Sequence, residues 1–394
     1  MAALVLLAGS LGTQMCFGVF LRPLSEEFDW TRAATSGAMS LSMGISGLIG
    51  IVMGRFTDKY KVRAVLTIGA LVGTTAYLLL AVIDSLWQLY LCFGLGTGIC
   101  VGCTYAPVNA TISKWFVEKR ALALGVALLG ISLGQMVLSP VVNRIINAVG
   151  WRTGWVVLGV ILFVSAAPAV ILMGRAPAAG RGVAVEDAEP GSKDPGPLQG
   201  YSVRGAMKTR PFWMLMTTGS TVAAGLYIVV AHIVPCAQDL GVSSNTASLI
   251  LTTTGVGNVA GTLLAWPLTV RLGNKHALTA VIAGEAVGMF LFMVTKSAWA
   301  FFLVSILFGF SLGAASPVRM AMVPPLFGLK SIGAMLGWAT FAWSVGGIVG
   351  PYLAGYVYDV TKSYDIAFLT GGLLLLVGVL SVCFWGSHRE KPDA

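Results

Sequence analysis

The chain has 394 residues, 56% of them hydrophobic and only 10% charged, with 49 glycines and a mean hydropathy of +0.84. That much apolar side chain exceeds what a water-soluble domain could cover, so the composition excludes one and indicates an integral membrane protein. The formal net charge of +9 follows membrane topology rather than nucleic-acid binding, because the bases gather on one side of the predicted spans.

A helix crossing the roughly 30 Å hydrocarbon core needs about 20 apolar residues. The apolar runs here are continuous rather than alternating, so they read as helices. Twelve spans are predicted, at roughly 2–22, 33–54, 64–83, 87–111, 120–147, 153–174, 211–236, 245–268, 276–295, 298–323, 331–358 and 366–386. The run from Ala2 to Phe20 lacks a basic leader and an early cleavage site, and reads directly as the first span. Nothing precedes it, which leaves a shortened start open. Between spans 2 and 3 the stretch GRFTDKYKVR, Gly54 to Arg63, sets one acid and four bases between two apolar runs. In span 4, Cys100 and Cys103 form a C-x2-C with no second pair or His cluster beside it, so small packing residues are expected there rather than a metal site. Cys16, Cys92, Cys236 and Cys383 also fall in or at the ends of spans, and no disulfide framework is expected.

After span 6 the composition changes. Arg175 to Arg210 is rich in Gly, Pro, Ala and charge and reads as a solvated linker, disordered in its middle. The expected organisation is a six-helix bundle over 1–174, a cytoplasmic linker over 175–210, a second six-helix bundle over 211–387 and a tail over 388–394. With the termini on the linker side, 18 of the 25 Lys and Arg residues lie on that side and six on the other, while Arg319 falls inside a span. This positive-inside bias places both termini in the cytoplasm of a cell, or inner, membrane protein.

The two halves repeat each other. Pro23 and Pro235, Thr31 and Ser243, Thr57 and Thr269, Phe116 and Phe327, Gly125 and Gly337, and Ser132 and Ser344 pair at offsets of 211 to 213 residues, and GWRTGW pairs with SYDIAF. Parallel six-helix repeats joined by a long linker are the plan of a rocker-switch transporter with its solute site at the midplane. The Gly54 to Arg63 stretch resembles the loop 2–3 signature of the major facilitator superfamily: Gly54, Asp58, Lys59 and Arg63 match, whereas Lys61 stands where that family usually has Gly and Val62 where it often has a base. The segments Gly18 to Leu41 and Trp115 to Gln135 are similar to the oxalate/formate antiporter and monocarboxylate porter branch. The resemblance implies an all-α membrane protein of twelve helices in two six-helix bundles, with Gly54, Asp58, Lys59 and Arg63 as gating residues. An acid at position 58 suits a neighbouring helix N-terminus and a nearby base, and the positive-inside rule leaves that acid unexplained.

Ionisable groups inside spans are costly and are functional candidates by default. Arg319, about eight residues past the centre of span 10, reads either as a helix-end anchor that snorkels to the interface or as an anion contact. Glu285, at the centre of span 9, reads as a neutral, helix-packed carboxyl or as a proton-coupling site. His232 in span 7 reads as a hydrogen-bonded packing residue, with proton coupling as its functional alternative. The polar candidates for a substrate-binding cavity are Gln14, Tyr105, Asn109, Ser132, Gln135, Tyr227, Asn258, Ser316 and Trp343, to which Arg319 is added. Tyr105 and Asn109 share a helix face, Thr254, Asn258 and Thr262 form an i, i+4, i+8 row, and Ser344 neighbours Trp343. Isolated polar groups of this kind more often make interhelical bonds.

Carboxylate carriers of the resembled branch use a cation in span 8, often with another in span 1 or span 11. This sequence has Asn258 and Thr262 in span 8 and no Lys or Arg inside spans 1 and 11. The expected function is a secondary active transporter of a small organic solute, a mono- or dicarboxylate, working by alternating access with a proton as candidate coupling ion. An efflux carrier for neutral or amphipathic compounds is the alternative. No nucleophile-base pair, cofactor motif or metal cluster points to an enzyme, and no P-loop occurs. The expected partners are a small-molecule substrate and the bilayer, with no cofactor and no nucleic acid, and the chain is expected to act as a monomer.

Overall fold

The computed structural model of the chain describes residues 1–59, 62–115, 120–173, 201–327 and 332–384. Among the described residues there are twelve long helices: α1 (Ala2–Phe28), α2 (Arg32–Lys59), α3 (Val62–Leu80), α4 (86–115), α5 (Arg120–Val149), α6 (Trp151–Met173), α7 (Arg210–Asp239), α8 (Ser244–Leu272), α9 (Asn274–Val294), α10 (Ala298–Ala321), α11 (Ile332–Thr361) and α12 (Asp365–Cys383). Eleven are apolar enough over their length to cross a bilayer, and α11 takes the twelfth place. The protein is therefore an all-α, multi-pass membrane protein.

Side-chain oxygens mark several starts. Ser243 and Ser297 accept backbone N–H groups from Thr246 and Ala300 at α8 and α10, and Gln88 reaches back to Asp84 and Ser85 at α4. The helices are not uniform rods. α1 carries a π-turn at Ala8–Gly12 and breaks at residues 15–16, and α4 carries a π-segment at Tyr90–Thr97.

Beyond the first turn, eight prolines lie inside the described helices. A proline lacks the N–H that would bond the carbonyl four residues earlier, and in hydrocarbon that carbonyl needs another donor. α8 supplies two. Thr252 Oγ1 donates to the Met136 carbonyl released by Pro140, at 3.1 Å, and Thr262 Oγ1 donates to the Gly313 carbonyl released by Pro317, also at 3.1 Å. The prolines therefore fix where α8 meets α5 and α10.

Within each half, α3 packs on α4 and α6, and α9 packs on α10 and α12. The halves meet along three seams, α2 on α11, α5 on α8, and α1 on α7. Cys100 and Cys103 lie against α3 at Gly73 and Gly69. Tyr201 to Thr209, at the end of the stretch expected as linker, carry a short helix (Val203–Ala206); the Tyr201 N–H donates to the Phe327 carbonyl at 2.9 Å, tying this piece to the second half.

Candidate functional site: a buried cation between the halves and a polar seal at one end

Of the sequence-predicted cavity residues, Tyr105, Asn109, Tyr227, Arg319 and Trp343 come together where α4, α7, α10 and α11 converge. Tyr105 and Asn109, one turn apart on α4, interact with each other. Across the boundary Tyr227 of α7 interacts with Trp343 of α11 and lies in electrostatic reach of Tyr105. Arg319 completes the group. Its guanidinium carbon is 5.5 Å from the centre of the Trp343 ring, and Tyr105 of the other half lies in its electrostatic reach. It rests against Gly219 of α7, where any Cβ would collide with Nη1.

The helix-end anchor expected as one reading of Arg319 does not fit, because the residue is 3% exposed and its side chain turns into the protein. A lipid-snorkelling side chain would instead carry its charge to water. No carboxylate lies within ion-pair distance of it among the described residues, and Nη1 makes no hydrogen bond. Leaving a buried guanidinium without a partner is costly.

Three other predicted residues, Gln14, Ser132 and Asn258, are engaged elsewhere. Gln14 donates to Ser42 at 2.7 Å, Ser42 lies 2.8 Å from Thr97, and only Gln14 Oε1 remains open. Ser132 donates to Asn258 Oδ1 at 2.8 Å across the α5–α8 seam. The Thr254, Asn258 and Thr262 row is split, since Thr254 bonds its own helix, Asn258 faces α5 and Thr262 faces α10. Gln135 is buried beside Gly12 with its amide nitrogen open, and Ser316 is half-buried next to Pro317. Of the expected gating set, Arg63 is exposed at the start of α3, whereas the side chains of Gly54, Asp58 and Lys59 lie outside the described residues.

The proton-coupling candidates occupy different settings. Glu285 is fully buried on α9, and neither carboxyl oxygen has a hydrogen-bond partner. His232, also fully buried, has Nε2 2.9 Å from the Pro351 carbonyl and Nδ1 3.3 Å from the Tyr364 hydroxyl. A carbonyl only accepts, so Nε2 carries the proton and Nδ1 accepts from Tyr364.

Tyr364 belongs to a seal that the sequence did not reveal, at the end of the bundle opposite the chain termini. Arg32, at the start of α2, pairs with Asp239 of α7 through two bonds of 2.6 and 2.9 Å and donates to the Tyr364 hydroxyl at 2.5 Å. Its guanidinium lies 3.8 Å from the centre of the Tyr358 ring. Asp359 of α11 accepts the Arg32 and Ala33 backbone N–H groups at 2.9 and 2.7 Å, so an acid from one half caps a helix of the other. Burial holds the Tyr364 phenol well above its usual range, against the pull of Arg32, and so keeps it a neutral donor. Ser36 donates to the Pro351 carbonyl at 2.9 Å, and Gly355 lets α11 lie on the backbone of Arg32 and Ala33, 2.7 Å from where its Cβ would stand.

The repeat held a usable signal for this seal. At an offset of 212 residues, Arg32 corresponds to Ser244 and Asp359 to Asn147. At the equivalent place on the α5–α8 seam, Asn143 and Asn147 donate to Asn245 at 3.0 and 3.2 Å, and Ser244 donates to Asn143 at 2.7 Å. One seam is closed by charges and the other by amides.

Two repeated six-helix halves, apolar enough to span a bilayer and enclosing a buried polar group at their boundary, define a multi-pass membrane transporter of small molecules rather than an enzyme. The chain belongs to the Major Facilitator Superfamily, whose sequence profile matches residues 3–235 and 225–394. It is 28% identical over 371 residues to monocarboxylate transporter 13 of Rattus norvegicus, covering 93% of this chain and 83% of that one. It is 25% identical over 396 residues to monocarboxylate transporter 11 of Homo sapiens, covering 98% and 81% respectively. Among solved structures, a bacterial homolog of the human lysosomal transporter Spinster, in an inward-facing and occupied conformation, matches with a TM-score of 0.74 at 13% identity, over 97% of this chain and 95% of that one.

Proposed function

We propose that this transporter carries a small organic carboxylate by alternating access, binding it between the halves against Arg319, Tyr105, Asn109, Tyr227 and Trp343. One observation carries the reading: Arg319 is a buried guanidinium at the half boundary with an open donor and, among the described residues, no carboxylate within ion-pair distance. A desolvated carboxylate needs such a charge-assisted partner. The rings of Tyr227 and Trp343 offer an apolar wall for the rest of the molecule. The names of the two relatives above agree with a carboxylate cargo. In this reading the cation sits on α10, because α8 offers Asn258 and Thr262 and both are committed to interhelical bonds.

The seal at the end away from the termini fits a state open toward the other side, and the positive-inside bias makes that other side the cytoplasm. Both termini are then cytoplasmic, in a cell (inner) membrane, and a single copy suffices. A neutral or amphipathic cargo moved outward is the competing reading, favoured by the aromatic wall and by the single cation.

The test is uptake into proteoliposomes of a panel of short mono- and dicarboxylates against their amides and alcohols, with and without a pH gradient. Carboxylates should compete with one another and lose competition in Arg319→Gln. Competition by the neutral analogues alone would refute the reading.

A further inference from the structure

The α2–α11 seam carries a groove of about 560 Å³ that lies apart from the carboxylate site. Gly37, Leu41 and Gly44 of α2 form one wall, and Ile348, Tyr352 and Tyr356 of α11 form the other. Gly37 and Gly44 stand two turns apart on one face of α2, and their missing side chains open the hollow. At Gly37 a Cβ would collide with the Tyr90 hydroxyl, so Tyr90 of α4 lies across α2 there and donates to the Ala34 carbonyl at 2.9 Å. The floor is the seam itself. Ser40 accepts the Tyr352 N–H at 3.2 Å. Gly347, next to Ile348, packs so closely that a Cβ on it would stand 2.8 Å from Met43 and 3.1 Å from Tyr227. A shift of α11 at the groove therefore reaches Tyr227 of the proposed carboxylate site.

Leu41, Ile348, Tyr352 and Tyr356 are exposed, and the exposed apolar row continues at Leu48 on α2 and at Val345 and Phe341 on α11. The groove is thus an indentation in the surface that the bilayer covers. Counted from Arg32 at the seal, Gly37 to Gly44 lie about 8–18 Å along α2, which is acyl-chain depth for a hydrocarbon core of roughly 30 Å. Water gains little there, because the Ser40 and Tyr90 oxygens are already engaged. An empty hollow would forfeit the dispersion contacts of its lining. Tyrosine rings favour the membrane–water boundary, and Tyr356, on the turn before Asp359, marks the end of the groove where a headgroup would lie.

We propose that the groove is a lipid site: one acyl chain of a phospholipid, from the leaflet on the sealed side, lies along it and braces α2 against α11. Opening the sealed end moves α2 away from α11 and takes one wall from the chain. A ligand that binds one state better shifts the population toward that state. Bound lipid therefore favours the state closed at this end, and clearing the groove favours the open one. The proposal rests on the alternating-access reading and adds to it a membrane component that sets the balance.

The experiment uses the full chain in detergent with added phosphatidylcholine that carries a diazirine midway along one acyl chain. After irradiation, peptide mass spectrometry should find more label on 37–44 and 348–356 than on any other lipid-facing segment. Gly44→Phe projects a ring into the groove, its Cβ 3.2 Å from the movable end of Ile348, and should lose most of that label while α6 labels as before. In parallel, nitroxides on Glu26 and Lys296 should report the sealed end by pulsed electron–electron distance measurement. In wild type the ratio of closed to open should rise about tenfold as unlabelled lipid reaches about ten times its apparent Kd, the limit for binding to the closed state alone. In Gly44→Phe the ratio should not respond. Uniform labelling, or groove label that Gly44→Phe leaves intact, would overturn the site. A ratio that lipid does not move would overturn the bracing, and one that not even Asp359→Ala moves would refute alternating access as well. Preferential groove labelling by a diazirine sterol would overturn the assignment to an acyl chain. Should Gly44→Phe fail to fold, Ile348→Trp fills the groove from the other wall and serves the same comparison.

Discussion

Removing the carboxylate of Asp359 should open the sealed end of the bundle. Asp359 holds the first two N–H groups of α2 at 2.9 and 2.7 Å. A helix N-cap contributes about 1 kcal/mol, and a negative charge at a helix N-terminus adds about 0.3–1 kcal/mol. Asp359→Ala should therefore weaken the seal by about 2 kcal/mol, which is roughly a 30-fold fall in the ratio of closed to open at that end. Asp359→Asn keeps one acceptor and loses the charge, so it should cost about half as much in free energy. The Arg32–Asp239 pair is partly exposed, with side chains 12% and 26% accessible. It adds about 1 kcal/mol after solvent screening, and because it shares Arg32 with the cap the two effects should not simply add. Nitroxides on exposed Glu26 and Lys296, in a background without the native cysteines, would report the opening by pulsed electron–electron distance measurement. A longer-distance population should grow from wild type through Asp359→Asn to Asp359→Ala. An unchanged distance distribution in Asp359→Ala, in protein that remains monodisperse, would refute the claim that this contact holds the halves together.

At the proposed anion site, Arg319→Lys should keep the charge but lose the planar donor fork, raising the apparent Kd for a carboxylate about tenfold. Arg319→Gln should raise it by at least 30-fold, since breaking a buried charged contact costs about 2–5 kcal/mol; titration of binding checks both. Gly219→Ala, which drives a methyl into Arg319 Nη1, should weaken carboxylate binding with little change in thermal stability, and wild-type affinity in that variant would show that the Arg319 pose is unimportant. Thr262→Val should leave the Gly313 carbonyl without the donor that replaces the bond lost at Pro317. Its cost should be about 1 kcal/mol, read as a lower midpoint of thermal unfolding in detergent.

Most of the fold was legible because it is written in run length. Twenty-residue apolar stretches and a repeat at an offset of 212 residues depend on no tertiary detail. The site was legible in part. Tyr105 with Asn109 follows from helical spacing alone, and these two residues do meet. Arg319 was ambiguous because distance along a helix says how deep a residue lies but not which way its long side chain turns. Gly219, on a helix distant in sequence, leaves the room that lets it turn inward. Ser132, Asn258 and Thr262 looked like cavity residues, yet they serve the packing of α8 against α5 and α10. The Ser132 hydroxyl donates to the Asn258 amide oxygen and the Thr262 hydroxyl to the Gly313 carbonyl, partners that only the assembled helices provide. The charged seal escaped because Arg32, Asp239, Asp359 and Tyr364 are separated by up to 332 residues and each is unremarkable alone at a loop end.

The borrowed cap on α2 has a further consequence for hydration. Thr31 already serves the Ala34 N–H at 3.2 Å, so once the halves separate no side chain of the same turn is free to replace Asp359. Water must then solvate the Arg32 and Ala33 N–H groups, the Arg32 guanidinium and the Asp239 and Asp359 carboxylates. Opening this end therefore consumes water molecules as a reactant, and solutes too large to enter the gap, by lowering water activity, should hold the transporter shut on that side.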